Sequence, residues 1–296
     1  MSIELAPHNK QGLALLSPVI AGSGAVGLGD AWPPDLTPQM CGAIVTAAMS
    51  LSARKGKAQP LLVETPGGYL LATGDQNPGY RRVIQTYAAA WRRLGVPVLA
   101  SLSAQDGADW PVLAARREED AAAAGIELAL PSELSAHAVA LLIGAVRRAT
   151  TLPLVARLPV TRAAELAQVC VQAGADSLVL GTPPLGAYPA AGVPVEAPIA
   201  GPAALPFTLH ALAAVAAQQV GVPLVACGGI CSLEGARLCL DWGASAVQVR
   251  SLLWTDPAAA GRLAAALRSM PDGHSVVAAG GHLPDGDEEL EFEEGF

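Results

Sequence analysis

Short, continuously apolar runs alternate along the chain with longer segments that favour helix. Some of these runs follow an X-Pro step, as in Pro97–Leu102, and others follow a glycine, as in Gly125–Leu130. Runs that are apolar at every position, rather than at every second one, are typical of strands buried on both faces. The pattern predicts eight such strands, near residues 19, 43, 97, 126, 154, 177, 224 and 246.

The segments between these runs are rich in Ala, Leu, Arg, Gln and Glu, which favour helix, and several end at a glycine just before the next strand. The predicted helices are Tyr80–Leu94, Trp110–Ala124, Ser135–Thr150, Arg162–Ala173, Thr208–Val220, Leu233–Trp242 and Pro257–Met270. Eight strand–helix units in 296 residues predict an α/β fold, a closed (β/α)8 TIM barrel that forms a single domain over residues 1–272. An open doubly wound sheet is the alternative, but no GxGxxG motif follows the first strand.

Two intervals are too long to be plain connections between a strand and a helix. Residues 50–79 follow the second predicted strand, and residues 182–206 follow the sixth. Both leave the carboxyl ends of strands, where barrel enzymes build their sites. We therefore expect these intervals to contribute to a functional site, the alternative being that they only cover the barrel.

The acidity of the chain is concentrated at its carboxyl end. The formal net charge is −8, from 26 acidic and 18 basic side chains, and seven of the acids lie in residues 285–296. Subtracting those seven leaves 19 acids against 18 bases, so the rest of the chain carries −1. We expect residues 273–296 to form an acidic, disordered tail attached to a nearly neutral barrel.

Composition also excludes several classes of function. Phosphate binding along a nucleic acid needs clustered Lys and Arg, and the chain has no such cluster. The longest segment poor in charge, Leu178–Phe207, contains seven prolines and predicts no membrane-spanning helix. No secretory signal is visible after Met1, and the five cysteines form no CxxC pair. We expect a cytoplasmic protein with reduced thiols and no metal site.

The predicted ends of the seventh and eighth strands offer a candidate phosphate site. Gly228 and Gly229 lie between the seventh strand and a helix that begins near Leu233, and Arg250 and Ser251 follow the eighth strand. Paired glycines allow close approach of the backbone, and amides near a helix N-terminus favour anions. The alternatives are that the glycines only form a turn and that the Arg250 guanidinium fills the site itself.

Several segments resemble the dihydroorotate dehydrogenase family. They occur in the family's order between about residues 13 and 270, and they are Pro18–Gly24, Gly42–Thr46, Val63–Leu70, Gly74–Gly79, Ala200–Ala203, Cys227–Ser232 and Gly243–Val249. The likeness is to the soluble class 1 enzymes, and within these to the kind that pairs with an electron-transfer subunit. It implies an FMN-containing homodimer that oxidises dihydroorotate to orotate in pyrimidine biosynthesis. The residues it implies for FMN are Gly22, Ser23, Thr46, Arg157, Gly201, Gly228, Gly229, Arg250 and Ser251.

The chain departs from the family at most positions that carry the reaction. Alanine or serine stands where the family has a lysine or an asparagine at Ala47, Ser101 and Ala129. The other changed positions are Leu71 and Thr182 in place of asparagines, Arg157 in place of a lysine, and Arg250 in place of a glycine. Leu71 and Ala129 offer no side-chain hydrogen bond to a polar ring, whereas Arg157 keeps the positive charge that faces the flavin in the family. The substrate-binding residues are therefore not predicted. The alternative for Arg157 is that it lines the barrel mouth and satisfies strand-end carbonyls.

The resemblance also implies a position for the catalytic base. The resemblance aligns Ser132 with the base-bearing loop that follows the fourth strand, but here the loop Leu130–Leu134 runs into the next helix too early. A serine hydroxyl is a poor base without a neighbour that accepts its proton. Ser132 or Ser135 is equally suited to cap that helix. Glu127 lies inside a predicted strand, which favours a buried structural partner over a catalyst.

Two hypotheses follow from the sequence. The first is an FMN-binding oxidoreductase that resembles dihydroorotate dehydrogenase, with the same substrate or an altered one. The second is a catalytically inactive family member that serves as a binding or assembly subunit. The first rests on the ordered motifs and Arg157, and the second on the replaced residues and the shortened loop.

Overall fold

The computed structural model describes residues 2–120 and 122–268. The strands of this part are β1 (Ile3–Glu4), β2 (Ala14–Leu15), β3 (Val19–Ala21), β4 (Ala43–Val45), β5 (Leu62–Thr65), β6 (Gly68–Leu71), β7 (Val98–Leu102), β8 (Gly125–Ala129), β9 (Leu154–Pro159), β10 (Ser177–Thr182), β11 (Leu185–Ala190), β12 (Val193–Ala200), β13 (Leu224–Cys227) and β14 (Ala246–Val249). The helices are α1 (Tyr80–Trp91), α2 (Asp109–Asp120), α3 (Ala136–Ala149), α4 (Ala163–Gln172), α5 (Leu205–Ala216), α6 (Leu233–Asp241), α7 (Ser251–Thr255) and α8 (Ala259–Arg268).

Eight parallel strands close into a barrel, which confirms the predicted (β/α)8 fold. Their order around the barrel is β3, β4, β7, β8, β9, β10, β13 and β14, with β14 pairing back onto β3. The strands are short and buried along almost their whole length; β7, for example, is buried at all five positions. This burial on both faces explains why the runs read as continuously apolar in the sequence.

A hairpin of β1 and β2 closes the amino-terminal end of the barrel. Leu5, Leu13 and Leu15 belong to the same buried cluster as Ile20 of β3 and Val225 of β13, which lies inside the barrel. The apolar side chains of the hairpin therefore complete the interior from below. With that end filled, the open end of the barrel is at the carboxyl ends of the strands.

The two long intervals pair with each other, which the sequence did not reveal. Strands β5 and β6 come from the first interval and β11 and β12 from the second, and they form one antiparallel sheet in the order β11, β12, β6, β5. The link between the intervals is the pairing of Tyr69 and Leu70 with Ala200 and Ile199. This sheet stands over the carboxyl end of the barrel and forms one wall of its mouth.

Residues 273–296, for which we predict an acidic tail, lie outside the described residues. Within the described part, no helix is both long enough and apolar enough to cross a membrane.

Candidate functional site

A cavity of about 880 Å³ opens at the carboxyl ends of the barrel strands. At its inner end it is bordered by Ser23, Ser101, Arg157 and Arg250, which lie within or just after four different barrel strands. From there it extends outward to the surface of α3. Its volume is in the range of small-molecule sites, and its location is the one at which TIM barrels bind their substrates.

A buried ionic network forms the floor of this cavity. Glu127 on β8 is fully buried, and its carboxylate pairs with the Arg157 guanidinium of β9 at 3.4 Å. The other carboxylate oxygen accepts a hydrogen bond of 2.7 Å from the amide of Gln248 on β14. Strands β8 and β14 are not neighbours, so this second bond crosses the barrel interior. Glu127 is thus a structural partner, as its position within a strand predicted.

Arg157 is held in place by further contacts and retains an unused donor. Its Nη2 donates to the carbonyl of Gly181 at 3.3 Å and to Sγ of Cys227 at 3.6 Å. Burial disfavours its charge, but Cys227 and Glu127 favour it, and the net effect raises the pKa of Arg157. Among the described residues, Nε of Arg157 and Oε1 of Gln248 are buried without a hydrogen-bond partner. Such unsatisfied polar atoms beside a cavity are suited to a polar ligand.

A narrow pocket of about 40 Å³ adjoins the large cavity at the ends of β13 and β14. It brings together eight of the nine residues that the resemblance implies for a cofactor, namely Gly22, Ser23, Arg157, Gly201, Gly228, Gly229, Arg250 and Ser251. The ninth, Thr46, lies beneath the mouth, fully buried, and its hydroxyl accepts a hydrogen bond from the Ser101 amide at 3.1 Å. Thr46 therefore supports the neighbouring strand end rather than lining the pocket.

The paired glycines serve the fold as well as the pocket. Gly228 and Gly229 have φ values of 121° and 74°, a region that favours glycine. A Cβ on Gly229 would lie 2.1 Å from the backbone nitrogen of Leu205, and one on Gly228 would lie 2.8 Å from Oγ1 of Thr208. Both glycines thus allow the strand end to pack against α5, which supports the turn interpretation without excluding a ligand on the pocket side.

Arg250 separates the cavities at the mouth. It borders the large cavity, the narrow pocket and a third cavity beside residues 73–78. Its guanidinium lies over the Trp254 ring, 5.6 Å from the ring centre. Burial, followed by the charge of Arg157, lowers the pKa of Arg250. Of these two neighbouring guanidiniums, only that of Arg157 is paired with a carboxylate among the described residues, so this end of the cavity favours an anion.

The sheet formed by the two intervals contacts the pocket through Tyr69. The Tyr69 hydroxyl lies 2.8 Å from Oγ of Ser251, and its ring lies 6.3 Å from that of Trp254. These residues hold the first turn of α7 against the sheet. These contacts were not predicted from the sequence, because neither the sheet nor the five-residue helix α7 was predicted.

Ser132 borders the large cavity, and among the described residues no side chain forms a hydrogen bond with its hydroxyl. It is exposed, and it is the backbone carbonyl of Ser132, not its hydroxyl, that accepts a hydrogen bond, from Arg162 at 2.7 Å. Arg162 also donates to the carbonyl of Leu134 at 2.6 Å and thereby fixes the short loop. The helix cap is Ser135, whose hydroxyl accepts from the Ala138 amide at 3.2 Å.

The rim of the cavity carries a polar cluster that sequence reasoning missed. Arg54 donates through Nη1 to a carboxylate oxygen of Asp75 at 3.3 Å and to the Ser103 hydroxyl at 3.1 Å. Asp75 follows β6 and Ser103 follows β7, so only the folded chain brings them together. Among the described residues, no group of three or more His, Cys, Asp or Glu side chains is arranged to hold a metal ion.

The replaced family positions lie where a substrate would be bound. Leu71, Ser101, Ala129 and Thr182 all border the large cavity. Ser101 is fully buried, and the Ser23 hydroxyl donates to it at 3.4 Å. At these four positions the departures from the family therefore change the lining of the cavity.

Comparison with known proteins relates the whole barrel to one family. A sequence model described as dihydroorotate dehydrogenase matches residues 7–270. A Geotalea daltonii protein named dihydroorotate dehydrogenase B (NAD(+)), catalytic subunit, is 32% identical over 287 residues, covering 90% of this chain and 92% of the relative. A Pelobacter propionicus protein of the same name is 33% identical over 287 residues, covering 91% and 94%. The chain therefore belongs to the dihydroorotate dehydrogenase family.

Proposed function

We propose that the protein is an FMN-binding oxidoreductase that acts in the cytoplasm on a substrate other than dihydroorotate. The observation that carries this proposal is the convergence of Arg157 and Arg250 with the Gly228–Gly229 turn at the ends of β9, β13 and β14. Family membership favours a flavin at this place, and the lining of the adjoining cavity favours a changed substrate.

The donors of the narrow pocket suit the phosphate end of FMN. Arg250 supplies a cation, the Ser251 hydroxyl supplies a donor, and the positive-φ backbone of Gly228 and Gly229 presents amides beside them. The buried, unpartnered Nε of Arg157 is a further donor. A free volume of about 40 Å³ holds only a few water molecules, so Arg250 must turn aside from the pocket to accommodate a phosphate.

Arg157 is the residue best suited to influence the chemistry. Bound FMN would supply the hydride acceptor. The Arg157 guanidinium, fixed by Glu127 and Gly181, would place a permanent positive charge beside it and favour its anionic reduced form. Gln248 in turn donates a hydrogen bond to the Glu127 carboxylate that pairs with this guanidinium. In this proposal the chain thus retains the positive charge that faces the flavin in the family.

The side chains with which the family recognises dihydroorotate, by contrast, are replaced in this chain. Leu71 and Ala129 border the cavity where the family pairs amides with a polar ring, and burying such ring groups without partners is costly. Ser132 is exposed and without a side-chain partner among the described residues, so no proton acceptor activates it. Both changes weaken the inherited reaction more than they weaken flavin binding.

The second candidate is a family member without catalysis that serves as a binding or assembly subunit. The observation that favours it is the position of Arg250, whose side chain borders all three cavities and narrows the pocket that would hold the phosphate. The relatives are named catalytic subunits, which motivates a partner for either candidate. For the oxidoreductase, we propose a homodimer associated with an electron-transfer subunit.

The flavin proposal can be tested by binding and by reduction. The full-length protein should be dialysed against FMN and, separately, against riboflavin, which lacks the phosphate. We expect FMN to be retained at least tenfold more tightly, because the arginines and the glycine turn act on the phosphate. A protein that retains neither flavin overturns the proposal and favours the non-catalytic candidate.

The substrate can be tested on the same FMN-loaded protein under anaerobic conditions. Dihydroorotate should leave the flavin absorption unchanged, whereas photoreduction should bleach it and show that the flavin is competent. Bleaching by dihydroorotate would overturn the altered substrate and restore the assignment to pyrimidine biosynthesis.

A further inference from the structure

The outer half of the large cavity is an apolar groove on α3. Ala138, Leu141, Leu142 and Ala145 border it from one face of the helix, at the i, i+3, i+4 and i+7 spacing of a continuous stripe. Trp110 of α2 lies beside this stripe at the same cavity. We call these five residues the α3 groove.

The groove is open because the loop that precedes α3 is short and fixed. Arg162 donates hydrogen bonds to the carbonyls of Ser132 and Leu134, so the loop Leu130–Leu134 is held close to the end of β8. Leu141 consequently borders the cavity with 60% of its surface exposed. A leucine that is both exposed and part of a cavity wall is available to a ligand rather than to the core.

Most charged side chains of the cavity lie away from the groove; the exception is Glu133, which borders the cavity from the loop before α3 and is exposed. Arg157 pairs with Glu127, and Arg54 pairs with Asp75. Arg250 lies at the opposite end, over Trp254. The part of the cavity that extends along α3 therefore offers apolar contact and no buried charge of its own.

We propose that the α3 groove binds the substrate, and that this substrate is a predominantly apolar small molecule with a hydrophobic ring or chain. That the ligand is a substrate depends on the proposed function; that the groove binds it does not. The groove is continuous with the cavity that reaches Arg157, so a ligand lying along α3 extends towards the proposed flavin site. Apolar burial against Leu141, which is 60% exposed, and against the half-buried Ala138 and Ala145 supplies the affinity, while the buried Leu142 and Trp110 form the base of the groove.

Binding of the fluorescent probe N-phenyl-1-naphthylamine to the full-length protein tests the groove. The probe is neutral and apolar, and its fluorescence rises when it leaves water. Leu141→Glu should weaken its binding at least tenfold, because a carboxylate in the groove opposes an apolar ligand. Leu16→Glu is the matched control, since Leu16 is 73% exposed and does not border the cavity, and it should bind as the parent does.

A second variant and a competitor complete the test. Ala138→Glu places a charge one turn earlier on the same stripe and should have the same effect, with helix content unchanged by circular dichroism. Orotate should not displace the probe. Equal binding by the parent, Leu141→Glu and Ala138→Glu overturns the proposal, and so does displacement by orotate.

Running each titration with and without FMN separates the two proposals. Probe binding that depends on Leu141 in a protein that retains no FMN supports the groove and overturns the proposed oxidoreductase. A protein that binds FMN, but in which Leu141→Glu leaves probe binding unchanged, supports the oxidoreductase and overturns the groove.

Discussion

The carboxylate of Glu127 and the guanidinium of Arg157 form an ion pair at 3.4 Å across neighbouring barrel strands, with Glu127 fully buried. Through its other oxygen, Glu127 also holds Gln248 on the far side of the barrel. Arg157 borders the cavity, so this network lies at the cavity floor. It ties the stability of the barrel to the position of a cation that the proposed chemistry also uses.

Removing the charge of Glu127 should destabilise the protein strongly. Glu127→Gln leaves the Arg157 guanidinium buried without its carboxylate, and breaking a buried pair on one side costs about 3–5 kcal/mol. Urea denaturation, monitored by circular dichroism, measures the loss in the free energy of unfolding. Glu165→Gln, which breaks the exposed pair with Arg162, is the control and should leave the denaturation midpoint nearly unchanged. Equal losses of stability in the two variants would show that the buried ion pair contributes no more to stability than the exposed one.

Arg157 should set the reduction potential of the bound flavin. Arg157→Ala should lower that potential, because the anionic reduced flavin loses its cation, while Arg157→Lys should retain most of the parent value. Potentiometric titration of the FMN-loaded variants gives the comparison. A potential that is the same in all three proteins would remove Arg157 from the chemistry.

The two serines that precede α3 should differ in their effect on stability. Ser135→Ala removes the hydroxyl that accepts the Ala138 amide and should cost about 1 kcal/mol. Ser132→Ala removes an exposed hydroxyl with no described partner and should change stability little. Thermal denaturation of both variants makes the comparison. The opposite order of effects would mean that Ser132, not Ser135, supports the helix.

The barrel was predictable because each strand has a local signal. Pro97, Pro153 and Pro223 immediately precede β7, β9 and β13, and Gly42 immediately precedes β4. These residues cannot continue the previous helix easily, so they mark the point at which a buried strand begins. The alternation of strand and helix then left few topologies other than the closed barrel.

The upper part of the site was not predictable, because it depends on contacts between distant segments. The pairing of Tyr69 with Ala200 joins two intervals that lie far apart in the chain, and the prolines of β11 and β12 obscure any strand pattern. Arg54 and Asp75 meet only through that arrangement. The ends of the barrel strands could thus be read from the sequence, whereas the walls that surround them could not.

The cysteines should differ sharply in reactivity, because burial suppresses the thiolate. Burial raises the pKa of Cys41, Cys170 and Cys239 to about 12, which leaves a thiolate fraction on the order of one in ten thousand at pH 8. Burial also raises the pKa of Cys227, although Arg157 opposes the rise. Cys231 is only half-buried, and it precedes the Ser232 cap of α6.

Cys231 should therefore be the one thiol that reacts with Ellman's reagent in the native protein at pH 8. Cys231→Ser should abolish the fast phase, and Cys239→Ala should leave it intact. Because burial raises the pKa of Cys231 as well, its labelling rate should increase as the pH rises towards 9. The buried thiols keep their protons in the folded state above the pH at which the thiols of the unfolded chain lose them. Alkaline pH should therefore lower the free energy of unfolding. Once the protein unfolds, all five thiols should become accessible to the reagent. A second fast thiol in the folded protein at pH 8 would contradict this order of burial.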